Sequence, residues 1–197
     1  QPERGNNALT ALLSALAALP LEDGPSARTI RGLAGLFPHG DTQGKALEMA
    51  CADEISGSLT LNFSVLELDQ MGFSAQFDCR FPLCAQEKAL LSRLSAALSP
   101  LGAEVTDPGL VPPHCVPEDD PFVQTLLGVY HDYTGQSARC LAIGGGTYVH
   151  DIPGGVAFGC AMPGVDNRMH EPDEFAILDD LVLSAKMFAQ VILDVCG

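Results

Sequence analysis

The sequence predicts an α/β (α+β) protein built in two parts, and three observations carry that expectation. Two runs, 58–68 and 72–81, alternate apolar and polar residues with the period of two that marks strands. Several other stretches repeat leucines at three- and four-residue spacing, which puts them on one face of a helix. A Val111-Pro112-Pro113 run interrupts both patterns. It predicts a boundary between a first part over 1–112 and a second over 113–197.

The elements of the first part follow in order. Asn6-Asn7 can cap a helix bearing Leu9, Leu12, Leu13, Leu16 and Leu19, which Pro20 and Asp23-Gly24-Pro25 end. A second helix is expected over 26–36, with Ile30, Leu33 and Ala34 inward; 37–41 is loop. In the strands, Leu59, Leu61, Phe63 and Val65 form one alternating face, and Phe73, Ala75, Phe77 and Cys79 another. Residues 69–72 join them as a hairpin turn, with Gly72 able to take positive φ, and Pro82 stops the second strand. A third helix is expected over 86–99 with Leu90, Leu91, Leu94, Ala97 and Leu98 inward, then Gly102 as C-cap and a third strand over 103–110. Helix, strand, strand, helix, strand lacks only one leading strand of a β-α-β-β-α-β ferredoxin-like module. That gap, with Gln1 rather than Met at the start, gives the expectation that the chain is cut from something longer.

In the second part, Asp120 caps a helix with Pro121 at its first position and Phe122, Val123, Leu126, Leu127 and Tyr130 inward, up to Gly135. Short apolar runs at 139–143 and 156–160, bounded by glycine, fit buried strands. Asp179-Asp180 open a last helix, where carboxylates suit the positive end of its dipole. Leu181, Ala185, Phe188, Ile192 and Val195 are expected to face inward.

Composition sets limits. With 197 residues, 47% apolar and 18% charged, the chain can bury a real core. A net charge of −15 argues against nucleic acid and anionic membranes, which require a positive face. No apolar run reaches spanning length, and the expected location is cytoplasmic. Seven cysteines, an odd number without C-x-x-C spacing, argue for reduced thiols rather than a disulfide framework or zinc ribbon.

The candidate chemistry concentrates at 143–180. His170 follows a loop exit, precedes the last helix, and has Glu171, Asp173 and Glu174 around it. Imidazole is a good zinc ligand and carboxylates can orient it; an exposed loop histidine is the plainer alternative. Gly144-Gly145-Gly146 followed by Thr147 fits a tight turn or a backbone that a ligand approaches closely. Arg80 ends a strand of Phe, Ala and Cys. There it can fork onto a carboxylate or stand in solvent at a sheet edge. His39, His114, His131 and His150 are weaker candidates, and no serine has nucleophile-elbow context.

Several blocks in order resemble the PepV-like zinc dipeptidases of the M20 metallopeptidase family. They are G-N-N-A (5–8), D-E-I-S-G-S-L-T-L-N (53–62), F-D-C-R-F-P (77–82), P-H-C-V-P-E-D-D-P-F-V-Q-T-L-L (113–127), I-G-G-G-T-Y (143–148), G-V-A-F-G (155–159) and M-H-E-P-D-E-F (169–175), followed by the closing helix at 178–189. The resemblance covers nearly the whole chain. It implies a partial ferredoxin-like lid domain followed by the C-terminal segment of a zinc-peptidase α/β catalytic domain. It further implies that His170 is a zinc ligand, that Arg80 holds the C-terminal carboxylate of a short peptide, and that Gly145, Gly146 and Thr147 line the same end. The implied reaction is hydrolysis by water activated on two zinc ions. The family's remaining ligands, its catalytic glutamate and its lid histidine belong upstream of Gln1. The resemblance therefore gives no catalytic residue within this chain, and implies that the chain alone is inactive and does not retain zinc. The expected partners are the short peptide, the missing N-terminal catalytic half, and further copies of this chain through surface the missing half would cover. Two alternatives stand beside it: a non-catalytic module that binds peptide or amino-acid carboxylates, and another M20 activity such as an aminoacylase or deacylase.

Overall fold

The computed structural model describes residues 1–106, 108–109, 111–159 and 161–197. The protein is a mixture of helices and small antiparallel sheets, in two compact units. One comprises Gln1–Pro113 with Ala142–Gly145, the other His114–Leu141 with Gly146–Gly197.

In the first unit, α1 (Ala8–Ala17) begins where the Asn7 side chain accepts from the Thr10 N–H. The same side chain donates to Asn62 Oδ1 and to the Phe63 carbonyl, both at 2.8 Å, so one residue caps the helix and ties it to a strand. Helix α2 (Pro25–Leu36) follows, with proline in its first turn. A two-residue ladder, β1 (Ala52–Asp53) with β2 (Gly57–Ser58), precedes the main hairpin. That hairpin pairs β3 (Thr60–Leu68) with β4 (Phe73–Arg80), Leu61 opposite Cys79 and Leu68 opposite Phe73. Helix α3 (Glu87–Leu98) buries Leu90, Leu94 and Leu98, and Gly102 ends the following 3₁₀ turn at φ 69°. The core joins Leu13, Leu33, Phe37, Leu47, Met49, Leu59, Leu61 and Phe63 to these leucines. Phe37 is buried in it, its ring 4.6 Å from that of Phe63 and 5.9 Å from that of Phe77.

The first unit departs from expectation in three places. The alternating face of β3 breaks at an irregularity between Phe63 and Val65. An extra residue reverses the phase of every side chain beyond it. Val65 is therefore exposed while Leu66 packs on the core. On α1, Leu13 is buried but Leu12 is half-exposed, and Leu19, expected on the same face, lies beyond the helix end and is half-exposed too. No third strand forms among the described residues of 103–109; Asp107 and Leu110 lie outside the description. Ala103 and Val105 still pack on the core. Pro108 cannot donate to a ladder and Gly109, at φ 50°, is a poor strand former.

In the second unit, α4 (Pro121–Thr134) starts at Asp120, whose carboxylate accepts from the Phe122 N–H, and ends at Gly135 with φ 67°. Its buried residues are Val123, Leu126 and Val129; Phe122, expected inward, is exposed. Helix α5 (Leu178–Cys196) carries Asp179 and Asp180 in its first turn and buries Ser184, Met187 and Val191. Tyr130, Val156, Phe158, Met162 and Leu183 complete this core. The expected inner face of α5 is thus displaced by about one residue: Leu181, Phe188, Ile192 and Val195 stay substantially exposed. Apolar residues surround this helix, so periodicity alone does not select its buried side.

Neither short apolar run of the second part is a strand among the described residues, Cys160 lying outside them. A strand exists only within a ladder, and no described segment pairs with either. Val156 and Phe158 are nonetheless drawn into the core, whereas Leu141 and Ile143 are exposed. No helix of the described residues is long and apolar enough to cross a membrane.

Candidate functional site

Arg80 is the last residue of β4, paired with Thr60, on the exposed face of the hairpin. Its Nε donates to Asp78 Oδ1 at 2.7 Å and its Nη2 to Asp78 Oδ2 at 2.8 Å. Residues two apart on a strand share a face, so F-D-C-R places acid and base side by side. The bidentate fork holds the guanidinium plane fixed, and donating these hydrogen bonds to Asp78 raises the arginine's already high pKa. A carboxylate ligand would meet a pre-oriented cation partly neutralised by its neighbour. Cys79 between them points the other way, and burial pushes its thiol up to about 11.

The glycine loop runs over the surface. None of Gly144, Gly145 and Gly146 has positive φ, and a Cβ built on any of them meets nothing within 4 Å. Local backbone geometry therefore does not require glycine at these three positions. Gly145 groups with the first unit, Gly146 and Thr147 with the second. Thr147 leads into a 3₁₀ turn, Tyr148–Asp151, its carbonyl accepting from the His150 N–H at 3.0 Å.

His170 is exposed in the second unit and has φ 68°. Arg168 and Asp173 are left-handed too, at φ 57° and 62°. Three such residues without glycine in one short loop hold the chain in a sparsely populated conformation. Cross-links sustain it: Glu171 N–H to the Arg168 carbonyl at 2.8 Å, Phe175 N–H to the Asn167 carbonyl at 3.2 Å, and an Arg168–Asp173 ion pair at 3.7 Å. Among the described residues no group of three or more His, Cys, Asp or Glu side chains could hold a metal ion.

Three features escaped the sequence reasoning. Asp53 is a hydrogen-bond hub: it accepts from the N–H of Ile55 at 2.9 Å, Ser56 at 2.6 Å and Cys84 at 3.1 Å, and from the Ser56 hydroxyl at 2.7 Å. These bonds, those from Ser56 foremost, hold its carboxyl down to about 2. The D-x-x-S spacing of an Asx turn is the signal that marks it. Asp41 is similar: burial raises its pKa, but the backbone N–H groups of Ala46, Lys45, Gln43 and Gly44 outweigh this and leave it lowered. His114 and His150 lie together in the second unit, ring centres 5.6 Å apart, with His114 Nε2 against the Gly155 carbonyl.

Comparison with known proteins points in one direction. No family model matches the chain. It is 36% identical over 195 residues to "Putative dipeptidase YtjP" of Bacillus subtilis, covering 98% of this chain and 41% of that protein. It is 34% identical over 157 residues to the Beta-Ala-Xaa dipeptidase of Lactobacillus delbrueckii subsp. lactis, covering 79% of this chain and 33% of that one. A Staphylococcus aureus protein also named "Putative dipeptidase" is 27% identical over 196 residues, 99% of this chain and 41% of its own length. The chain thus spans about two fifths, or less, of the length of the curated relatives it matches.

Proposed function

We propose that this chain is the C-terminal portion of a zinc-dependent dipeptidase of the M20, PepV-like type. The observation that carries the proposal is the similarity, 36% identical across 98% of the chain, to a protein named "Putative dipeptidase". In this proposal the first unit is part of a lid and the second belongs to the catalytic domain. Arg80 receives the C-terminal carboxylate of a short peptide, and Gly145, Gly146 and Thr147 line that end. The guanidinium already fixed by Asp78 and the absence of side chains on the loop suit a small charged ligand. His170 supplies one zinc ligand from a loop held rigid by its own hydrogen bonds. The other donors and the general base belong to the part of the relatives' length that this chain does not span. Bound zinc would supply Lewis acidity for hydrolysis. This chain's own residues would orient the peptide and fix the distance of its carboxylate from the metal. Its partners are that remaining part and further copies of itself, joined through the exposed apolar side of α5.

The test is a hybrid enzyme in which this chain replaces the matching stretch of the Bacillus relative. The expected result is zinc-dependent dipeptide hydrolysis, lost by at least about 100-fold on His170→Ala and raised in KM on Arg80→Ala. An active hybrid indifferent to both substitutions would refute the assignment. The second reading, a carboxylate-binding module, draws on the exposed Arg80 and the lack of a described metal cluster. It predicts metal-free calorimetric binding of dipeptides by this chain, abolished by Arg80→Ala and by C-terminal amidation of the ligand.

A further inference from the structure

We infer that Cys51 and Cys84 form a thiol pair that peroxide closes into a reversible disulfide, locking the β1–β2 hairpin to the segment that follows β4. The inference is independent of the peptidase proposal. Both cysteines are free, Cys51 half-buried and Cys84 exposed, and the Cys84 N–H is bonded to the carboxylate of Asp53, two residues along the chain from Cys51.

The backbone holds them in place. The Leu83 N–H donates to Ser56 Oγ at 2.8 Å, and the Cys84 N–H donates to Asp53 Oδ2 at 3.1 Å. Ser56 Oγ in turn donates to Asp53 Oδ2 at 2.7 Å. Ser56 and Asp53 belong to the β1–β2 hairpin, whose start is Cys51; the Cys51 carbonyl accepts from the Leu59 N–H at 2.9 Å. One carboxylate and one hydroxyl thus clamp the chain around Cys84 onto the hairpin that begins at Cys51. This pre-positioning is the condition a disulfide needs, because its geometry tolerates little backbone movement.

The chemistry divides by exposure. Cys84 is the thiol a peroxide reaches. Its deprotonated sulfur attacks one peroxide oxygen; the O–O bond breaks and the departing hydroxide takes a proton to become water. Cys84 is then a sulfenic acid. Cys51 loses its proton and attacks the Cys84 sulfur; the S–O bond breaks, the S–S bond forms, and hydroxide leaves as a second water. Two thiols and one peroxide give one disulfide and two waters. Burial and the neighbouring Cys84 raise the Cys51 pKa, which keeps it a thiol until its partner is oxidised. The competing partner is Cys79, which also feels Cys51 electrostatically but is more deeply buried.

The experiment treats the whole chain with hydrogen peroxide, alkylates the remaining thiols, and maps cross-linked peptides by mass spectrometry before and after a dithiol reductant. The expected result is loss of two alkylatable thiols and a Cys51–Cys84 peptide that disappears on reduction. Cys84→Ser and, because Cys51 is half-buried, both Cys51→Ser and Cys51→Ala remove the peptide; Cys79→Ser leaves it. Far-UV circular dichroism confirms that each variant is folded. The inference is overturned if Cys84 proceeds to sulfinic acid with Cys51 still alkylatable, or if Cys51 pairs with Cys79.

Discussion

The burial of α1 can be tested at two adjacent leucines. Both Leu12 and Leu13 fit the helical spacing of the sequence, yet Leu13 is 2% exposed and Leu12 55%. Truncating a buried leucine costs the transfer energy of its methyl and methylene groups plus the cavity left behind, about 3 kcal/mol in a well-closed site. Leu13→Ala is expected to approach that value, since Leu33, Phe37 and Leu59 surround the same core. Leu12→Ala loses less than half of a leucine's burial and leaves no cavity. Alanine's better helix propensity offsets part of it, so the cost is expected to stay below about 1 kcal/mol. The difference of about 2 kcal/mol is about a 30-fold change in the folding equilibrium. The chain has no tryptophan, and its three tyrosines, Tyr130, Tyr133 and Tyr148, all belong to the second unit. Urea unfolding followed by far-UV circular dichroism therefore reports both units, and tyrosine fluorescence only the second. Leu13→Ala should move the dichroism transition to lower urea and leave the fluorescence transition in place. Equal costs at the two positions, or a larger one at Leu12, would refute the packing of α1.

Three further outcomes are expected. Ser184 is buried with no hydrogen-bond partner for its hydroxyl among the described residues, so Ser184→Ala should stabilise the second unit by about 1 kcal/mol in tyrosine-monitored urea unfolding. Asp53 has a folded pKa of about 2 against an ordinary 3.8, so its contribution is present above about 3.8 and lost as pH falls towards 2. Asp53→Asn should flatten the acid-side fall of the first unit's urea midpoint across that window, Asp41 supplying the remaining slope. Iodoacetamide at mildly alkaline pH, under reducing conditions, should label exposed Cys84 readily and leave Cys79, with its thiol near 11, unreacted until the fold opens; peptide mapping reads both.

Local signals were legible where local physics decides. Asn7, Asp120, Pro121 and Gly135 mark helix ends in the sequence and act as such in the structure, because caps satisfy neighbours within a turn. The hairpin 60–80 followed from alternation for the same reason. What failed was anything that depended on a distant partner. The bulge after Phe63 leaves no sequence mark, yet it transfers Val65 to solvent and Leu66 to the core. The runs 139–143 and 156–159 are apolar enough for strands but lack a described neighbour to pair with. On α5, Met187 rather than Phe188 is buried, because Val156, Phe158 and Met162 choose the side they cover. For the candidate site, the residue types at Arg80 and His170 were readable. The Asp78 fork on Arg80 and the left-handed loop around His170 required coordinates.

The two edges of the β3–β4 hairpin differ, and amide exchange with deuterated solvent would register the difference. Along the outer side of β3, the Leu61 N–H donates to the Thr42 carbonyl at 2.8 Å, and the Phe63 carbonyl is taken by Asn7. No comparable backbone bond covers the outer side of β4 among the described residues. Outward amides of β3 near Leu61 should therefore exchange slowly, and those of β4 at Phe77 and Cys79 fast, although both strands belong to one ladder. Along β4 protection should alternate residue by residue without a break, whereas along β3 the alternation should slip by one at the extra residue between Phe63 and Val65. The outer side of β4 is also where another extended chain could add hydrogen bonds without breaking any backbone bond made among the described residues.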